Sequence, residues 1–184
     1  MQINFKFTAK SAAMLFALLL ASCGFKPMYG VSSAGGADLA QLMANIEIDR
    51  VTNLSGRQER LSQLIENNLL DRISPLSSDG SGTAYLLKTN YDVDERGYGI
   101  REDESVTLQN LKLTVAFRLV DISSDETIMD GTARAIVTYD LVQSDFSNLV
   151  ARETSLERLS EEAVNQIITR IGTFLSNNQQ NSGS

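Results

Sequence analysis

Apolar and polar residues alternate over three long stretches in the second half of the chain, and this period of two predicts three half-buried β-strands. From Tyr85 to Glu95 the odd positions Tyr85, Leu87, Tyr91 and Val93 are apolar, while Lys88, Asn90, Asp92 and Asp94 take the other face. Leu111, Leu113, Val115, Phe117 and Leu119 repeat the pattern against Asn110, Lys112, Thr114 and Arg118. Ala133, Ala135, Val137 and Tyr139 repeat it once more against Thr132, Arg134 and Thr138. Val106 and Leu108 fall on the opposite phase, which predicts a β-bulge near Gln109 and Asn110 and places Thr107 and Gln109 on the polar face. Ser123 to Asp125 marks a turn, and Gly97 and Gly99 supply turn conformations at the tip of a long hairpin.

Helical spacing replaces alternation in two places. Leu61, Leu64, Ile65, Leu69 and Ile73 form one stripe, preceded by the capping pair Ser55 and Gln58 and stopped by Ser74-Pro75. Leu156, Leu159, Ala163, Ile167, Ile171 and Phe174 form a second, widened by Val164, Ile168 and Leu175. Thr154 with Glu157 offers one start for this helix, and Leu149, seven residues before Leu156, an earlier one near Ser147. Ile46 to Val51 reads as a short strand ahead of the first helix. The order β-α-β-β-β-α leaves one apolar sheet face that two amphipathic helices can cover, an α/β (α+β) two-layer sandwich.

The first 22 residues do not belong to that domain. Lys6 and Lys10 precede an apolar run from Ser11 to Ala21, the layout of a secretory signal. Eleven residues make a helix of roughly 16 Å, too short for a bilayer core of ~30 Å. The run ends in Leu20-Ala21-Ser22-Cys23, which resembles the bacterial lipobox and uses the only cysteine. The resemblance implies removal of residues 1–22 and a diacylglycerol and N-acyl lipid on Cys23, with no other cofactor. Several acyl chains on one residue give lasting attachment. Gly24 after the cysteine resembles the pattern of lipoproteins sorted to the outer membrane. Residues 23–42 then read as lipidated terminus and tether, 43–176 as the domain, and 177–184 as a disordered polar tail.

Removing Lys6 and Lys10 leaves 14 basic residues against 23 acidic ones, a net charge of about −9, which argues against nucleic acid as a partner. The chain has no histidine, so Ser–His and Cys–His nucleophiles are excluded, and it reads as a non-enzyme with no metal site. Asp92, Asp94 and Gly97 superficially match a calcium loop, but Arg96 puts a cation where a ligand is needed. Glu102-Asp103-Glu104 reads as a solvated loop. Lys88, Arg96, Arg101, Lys112, Arg118 and Arg134 are the cations of the central strands. Their default role is solubility; the sharper one is a sparse surface for lipid phosphates.

Cys23-Gly-Phe-Lys-Pro-Met-Tyr29-Gly30 resembles the start of the LPS-assembly lipoprotein LptE (RlpB) family. Gly97-x-x-Ile100-Arg101-x-Asp103, Asn110-Leu-x-Leu113, Gly131-Thr-x-Arg134, Tyr139 and Ser144-Asp-Phe146 resemble its alphaproteobacterial branch. The resemblance implies a four-stranded mixed sheet with two helices packed on one face. It further implies a lipoprotein on the periplasmic side of the outer membrane that plugs an LptD-like β-barrel and assists its assembly. Together they would insert lipopolysaccharide into the outer leaflet. Lipopolysaccharide-contact candidates are then Arg96, Arg101, Lys112, Arg118 and Arg134. The alternative is a lipid-anchored periplasmic scaffold subunit of another outer-membrane machine.

Overall fold

The computed structural model describes residues 42–54, 59–73, 83–100 and 106–182. A helical turn at 42–44 leads into strands β1 (Ile46–Ile48) and β2 (Thr52–Asn53), helix α1 (Glu59–Ile73), strands β3 (Tyr85–Ile100), β4 (Val106–Asp121) and β5 (Glu126–Asp140), and helix α2 (Asp145–Ser182). The sheet runs β1-β3-β4-β5, with β2 also beside β3; β1 and β2 are parallel to β3, and the other pairs are antiparallel. This is the expected mixed α+β sandwich, with its first strand in two pieces.

The break in that strand has a simple cause. Ile48 lies opposite Leu87 but Thr52 lies opposite Asn90, so three residues of the edge span two of β3. The extra residue shifts the phase, which is how Ile46 and Val51, an odd number of positions apart, are both buried. The bulge expected at Gln109 and Asn110 is absent: the β3–β4 register runs unbroken from Tyr85↔Asp121 to Ile100↔Val106. The shift falls instead at Leu119 and Val120, whose partners Met129 and Thr127 leave Ile128 unmatched. The segment from Asp92 to Gly99, expected near a hairpin tip, is strand, and of its two glycines only Gly99 has a left-handed φ, of 72°.

Both helices pack on the odd-numbered face of β3, β4 and β5. Leu87, Tyr91, Leu111, Leu113, Val115, Leu119 and Ala133 meet Leu61, Ile65 and Leu69 of α1 and Leu159, Ala163, Ile167 and Ile171 of α2, all buried. Each of these leucines, isoleucines and Val115 contributes about 1.5–3 kcal/mol by leaving water. The helices run parallel, joined by Arg60–Glu153 at 2.9 Å and by Asn68 donating to the buried Ser160 hydroxyl at 2.8 Å. The buried Tyr91 hydroxyl ties β2 and α1 to β3, 3.3 Å from Asn53 Nδ2 and 3.0 Å from Ser62 Oγ. Gly131 lies opposite Phe117, whose ring would sit 2.8 Å from an added Cβ, so only glycine leaves room for that ring.

Helix α2 takes the earlier of its two expected starts and ends later than the sequence implied. Ser144 caps it, its hydroxyl accepting from Ser147 N at 3.3 Å, and Asp145 faces the positive end of the helix dipole. The helix continues to Ser182, through most of the segment expected to be a disordered tail. Residues 1–41, with the signal and Cys23, lie outside the described residues, as do the Ser55–Gln58 cap and the loop after Ile73.

Candidate functional site: the open face of the sheet

Burying the odd positions of β3, β4 and β5 leaves the even positions on a face that no described helix covers. The register places Lys88, Arg118 and Asp130 in one row, Asn90, Ala116 and Thr132 in the next, then Asp92, Thr114 and Arg134, then Asp94, Lys112 and Ile136, then Arg96, Asn110 and Thr138. Four of the five candidate cations, Arg96, Lys112, Arg118 and Arg134, therefore share one face; Arg101 lies outside the described residues. They do not converge. Lys112 and Arg118, six residues apart on one strand, are separated by about 20 Å.

Their pairing separates them further. Arg96 Nε sits 2.9 Å from Asp94, and that hydrogen bond and the carboxylate's charge raise the Arg96 pKa above its ordinary value. Lys112 faces the same Asp94 across the strands. Arg118 differs, because the residue directly opposite it on β3 is another cation, Lys88. Like charges at opposed positions repel; Asp130 faces Arg118 from β5, so the row carries two cations against one acid, a net positive charge that suits an anion. Counting the whole face, Lys88, Arg96, Lys112, Arg118 and Arg134 stand against Asp92, Asp94, Asp130 and Asp140, close to neutrality. The helix layer is the acidic one: Glu59, Glu66 and Asp71 of α1 and Asp145, Glu153, Glu157, Glu161 and Glu162 of α2 exceed its arginines.

Thr107 and Gln109, expected on the polar face, point the other way because the register has no slip there. Beneath that end of the sheet Gln109 Nε2 donates to Glu95 Oε1 at 3.2 Å, and Arg152 of α2 grips Glu95 with Nε and Nη2, both 3.2 Å from Oε2. Burial, then the charge of Glu95, pushes the Tyr139 pKa up, against the opposing pull of Arg152. A polar cluster thus replaces the apolar core under the hairpin, and the apolar side chains of this end turn outward. Tyr98 is 52% exposed, and at the start of α2 Phe146 reaches 75%. The hidden signal in the sequence was Glu95, an acid at a core-phase position.

The extended backbone also disposes of the calcium reading. Asp92 and Asp94 are neighbours along one strand face, and Asp94 is already engaged by Arg96.

A family model described as LptE, lipopolysaccharide-assembly, matches residues 43–171. The chain belongs to the LptE family. LptE proteins are lipopolysaccharide-assembly lipoproteins, not enzymes. Among solved structures, a lipoprotein from Caulobacter crescentus CB15 has a similar fold, with a TM-score of 0.57 at 24% identity, over 76% of this chain and 96% of that one. The rare lipoprotein B from Shewanella oneidensis gives a TM-score of 0.51 at 12% identity, over 72% and 99% respectively. No curated protein matched the chain.

Proposed function

We propose that this LptE family member is anchored by lipid on Cys23 at the periplasmic side of the outer membrane, where it seats in an LptD-like β-barrel. There it plugs the lumen, assists barrel assembly and helps insert lipopolysaccharide into the outer leaflet. The observation that carries this reading is the open sheet face: broad, polar, close to neutral and uncovered by the helices. Such a face suits the wet, polar interior of a large barrel, where an apolar face would strand its own surface and a strongly charged one would lack counter-charges. The lipid tether supports it by holding the domain at high local concentration beside its partner. Lipopolysaccharide phosphates would meet Arg118 beside Lys88, two cations at directly opposed positions of the face.

The test is what co-purifies with a C-terminally tagged, lipidated copy extracted in mild detergent from outer membranes. A stoichiometric LptD-like barrel is expected. Recovery with the components of a different outer-membrane machine would instead support the scaffold alternative, and recovery alone would remove both.

A further inference from the structure

Strand β5 is an edge of the sheet, and only part of its outer side is closed. Gln166 of α2 lies against it, donating from Nε2 to the Arg134 carbonyl at 2.9 Å and accepting from Arg134 N–H at 3.2 Å. That pair of bonds is the one a neighbouring strand's peptide group would make, so one side-chain amide stands in for a missing strand. Arg170 Nη1 closes the next position, donating to the Thr132 carbonyl at 2.8 Å. Backbone groups alternate along an antiparallel edge, so Ile136 and Thr138, in phase with Arg134, also turn their N–H and C=O groups outward. Among the described residues no side chain meets these groups.

Natural edges are blunted by charge or cover. The part of β3 that runs on past Tyr91 follows that rule, carrying Asp92, Asp94, Glu95 and Arg96. The end of β5 does not: Ile136 is 61% exposed, and Thr138 is uncharged. Beside it lies a groove of about 610 Å³ between β5 and the polar flank of α2. Arg134 and Arg158 line it together with Glu161 and Glu162, so it holds both signs of charge. A groove with no net charge preference and a row of free peptide groups recognises backbone.

We propose that the edge of β5 from Ile136 to Asp140 is a strand-addition site that takes one extended segment of the barrel partner, next to the place Gln166 already fills. The inference rests on the barrel reading above. It also fits the polar face, because Ile136 and Thr138 present their side chains to that face and their peptide groups to the edge. Barrels carry long loops from which an extended segment can be drawn.

The test is backbone amide exchange at single-residue resolution, on the chain alone and in the purified complex with the barrel. The Ala135, Val137 and Tyr139 amides, bonded to β4, are slow in both. The Ile136 and Thr138 amides are expected to be fast in the free chain and slowed at least ~100-fold in the complex, as amides in a sheet ladder are. Ile136→Pro deletes only an outward N–H, which an edge strand tolerates. It should weaken the complex by about tenfold, the effect of losing one such bond, while Ile136→Thr, which keeps the N–H, should not. A complex in which both amides stay fast, or in which the threonine variant loses as much as the proline one, overturns strand addition and leaves the barrel reading standing. Slowing that depends on the concentration of this chain alone assigns the edge to a second copy and overturns the proposal. Failure of any complex to form overturns the barrel reading itself.

Discussion

The covered and open faces of the sheet come from the same three strands, one residue out of phase, and they are held to different standards. On the covered face every position from Leu111 to Leu119 in β4 is fully buried or nearly so, and Gly131 exists in that form because the Phe117 ring fills its space. On the open face Lys112 and Arg118 are exposed, their neighbours are drawn from both charges, and Lys88 and Arg118 face each other without relief from β3. Asp130 faces Arg118 from β5, but the opposition of Lys88 and Arg118 across β3 and β4 adds nothing to stability. The covered face is therefore constrained by packing, and the open face is left to be completed by something else.

The largest effect that would break this contrast is in the core. Leu159→Ala, at a fully buried position of α2, should cost about 2–5 kcal/mol in denaturant unfolding. Gly131→Val should cost about 1–3 kcal/mol by forcing Phe117 aside, and Phe117→Leu in the same chain should recover part of that loss. Tyr91→Phe removes the buried hydroxyl and its hydrogen bonds to Ser62 and Asn53, at about 1–2 kcal/mol. Arg118→Glu on the open face should change stability by no more than about 0.5 kcal/mol while weakening binding of lipopolysaccharide vesicles in a sedimentation assay. If Arg118→Glu unfolded the protein as readily as Leu159→Ala, the contrast between the faces would be lost.

The smallest effect sharpens it at the hairpin end. The fold raises the pKa of Tyr139, so the folded state holds its proton to higher pH than the unfolded state does. The corresponding stability is intact below the ordinary tyrosine pKa near 10 and is lost as pH rises from there through the raised value. Tyr139→Phe should flatten that alkaline decline in thermal melts followed from pH 9 to 11.

Much of this was legible in the pattern of residues. The period of two in β3, β4 and β5 separates the faces and puts Lys88, Lys112, Arg118 and Arg134 on the polar one, whereas Arg96, read as part of a hairpin tip, joins them only in the structure. What it missed has one physical origin. The Glu95–Arg152 contact, the Gln166 bond to the Arg134 backbone and the Phe117–Gly131 fit join residues far apart in sequence, and such contacts leave no periodic trace. Leu108, apolar on the wrong phase, points to a bulge at Gln109. The strand keeps its register, however, and the core ends there, with polar residues taking the inside. The break at Asp49 and Arg50 was likewise invisible, since a short edge strand tolerates an extra residue at little cost. Pairing was harder to read than placement: Asp94 takes Arg96 from its own strand while also facing Lys112.

The most direct test of the account is a pair of photo-reactive benzoylphenylalanine residues, one at Lys112 on the open face and one at Glu157 on the exposed side of α2. Each is introduced separately into lipidated protein produced with its barrel. The account predicts a strong adduct with the barrel from position 112 and a much weaker one from position 157. Strong cross-linking from position 157, with none from 112, would place the partner on the helix layer and contradict the assignment of the open face.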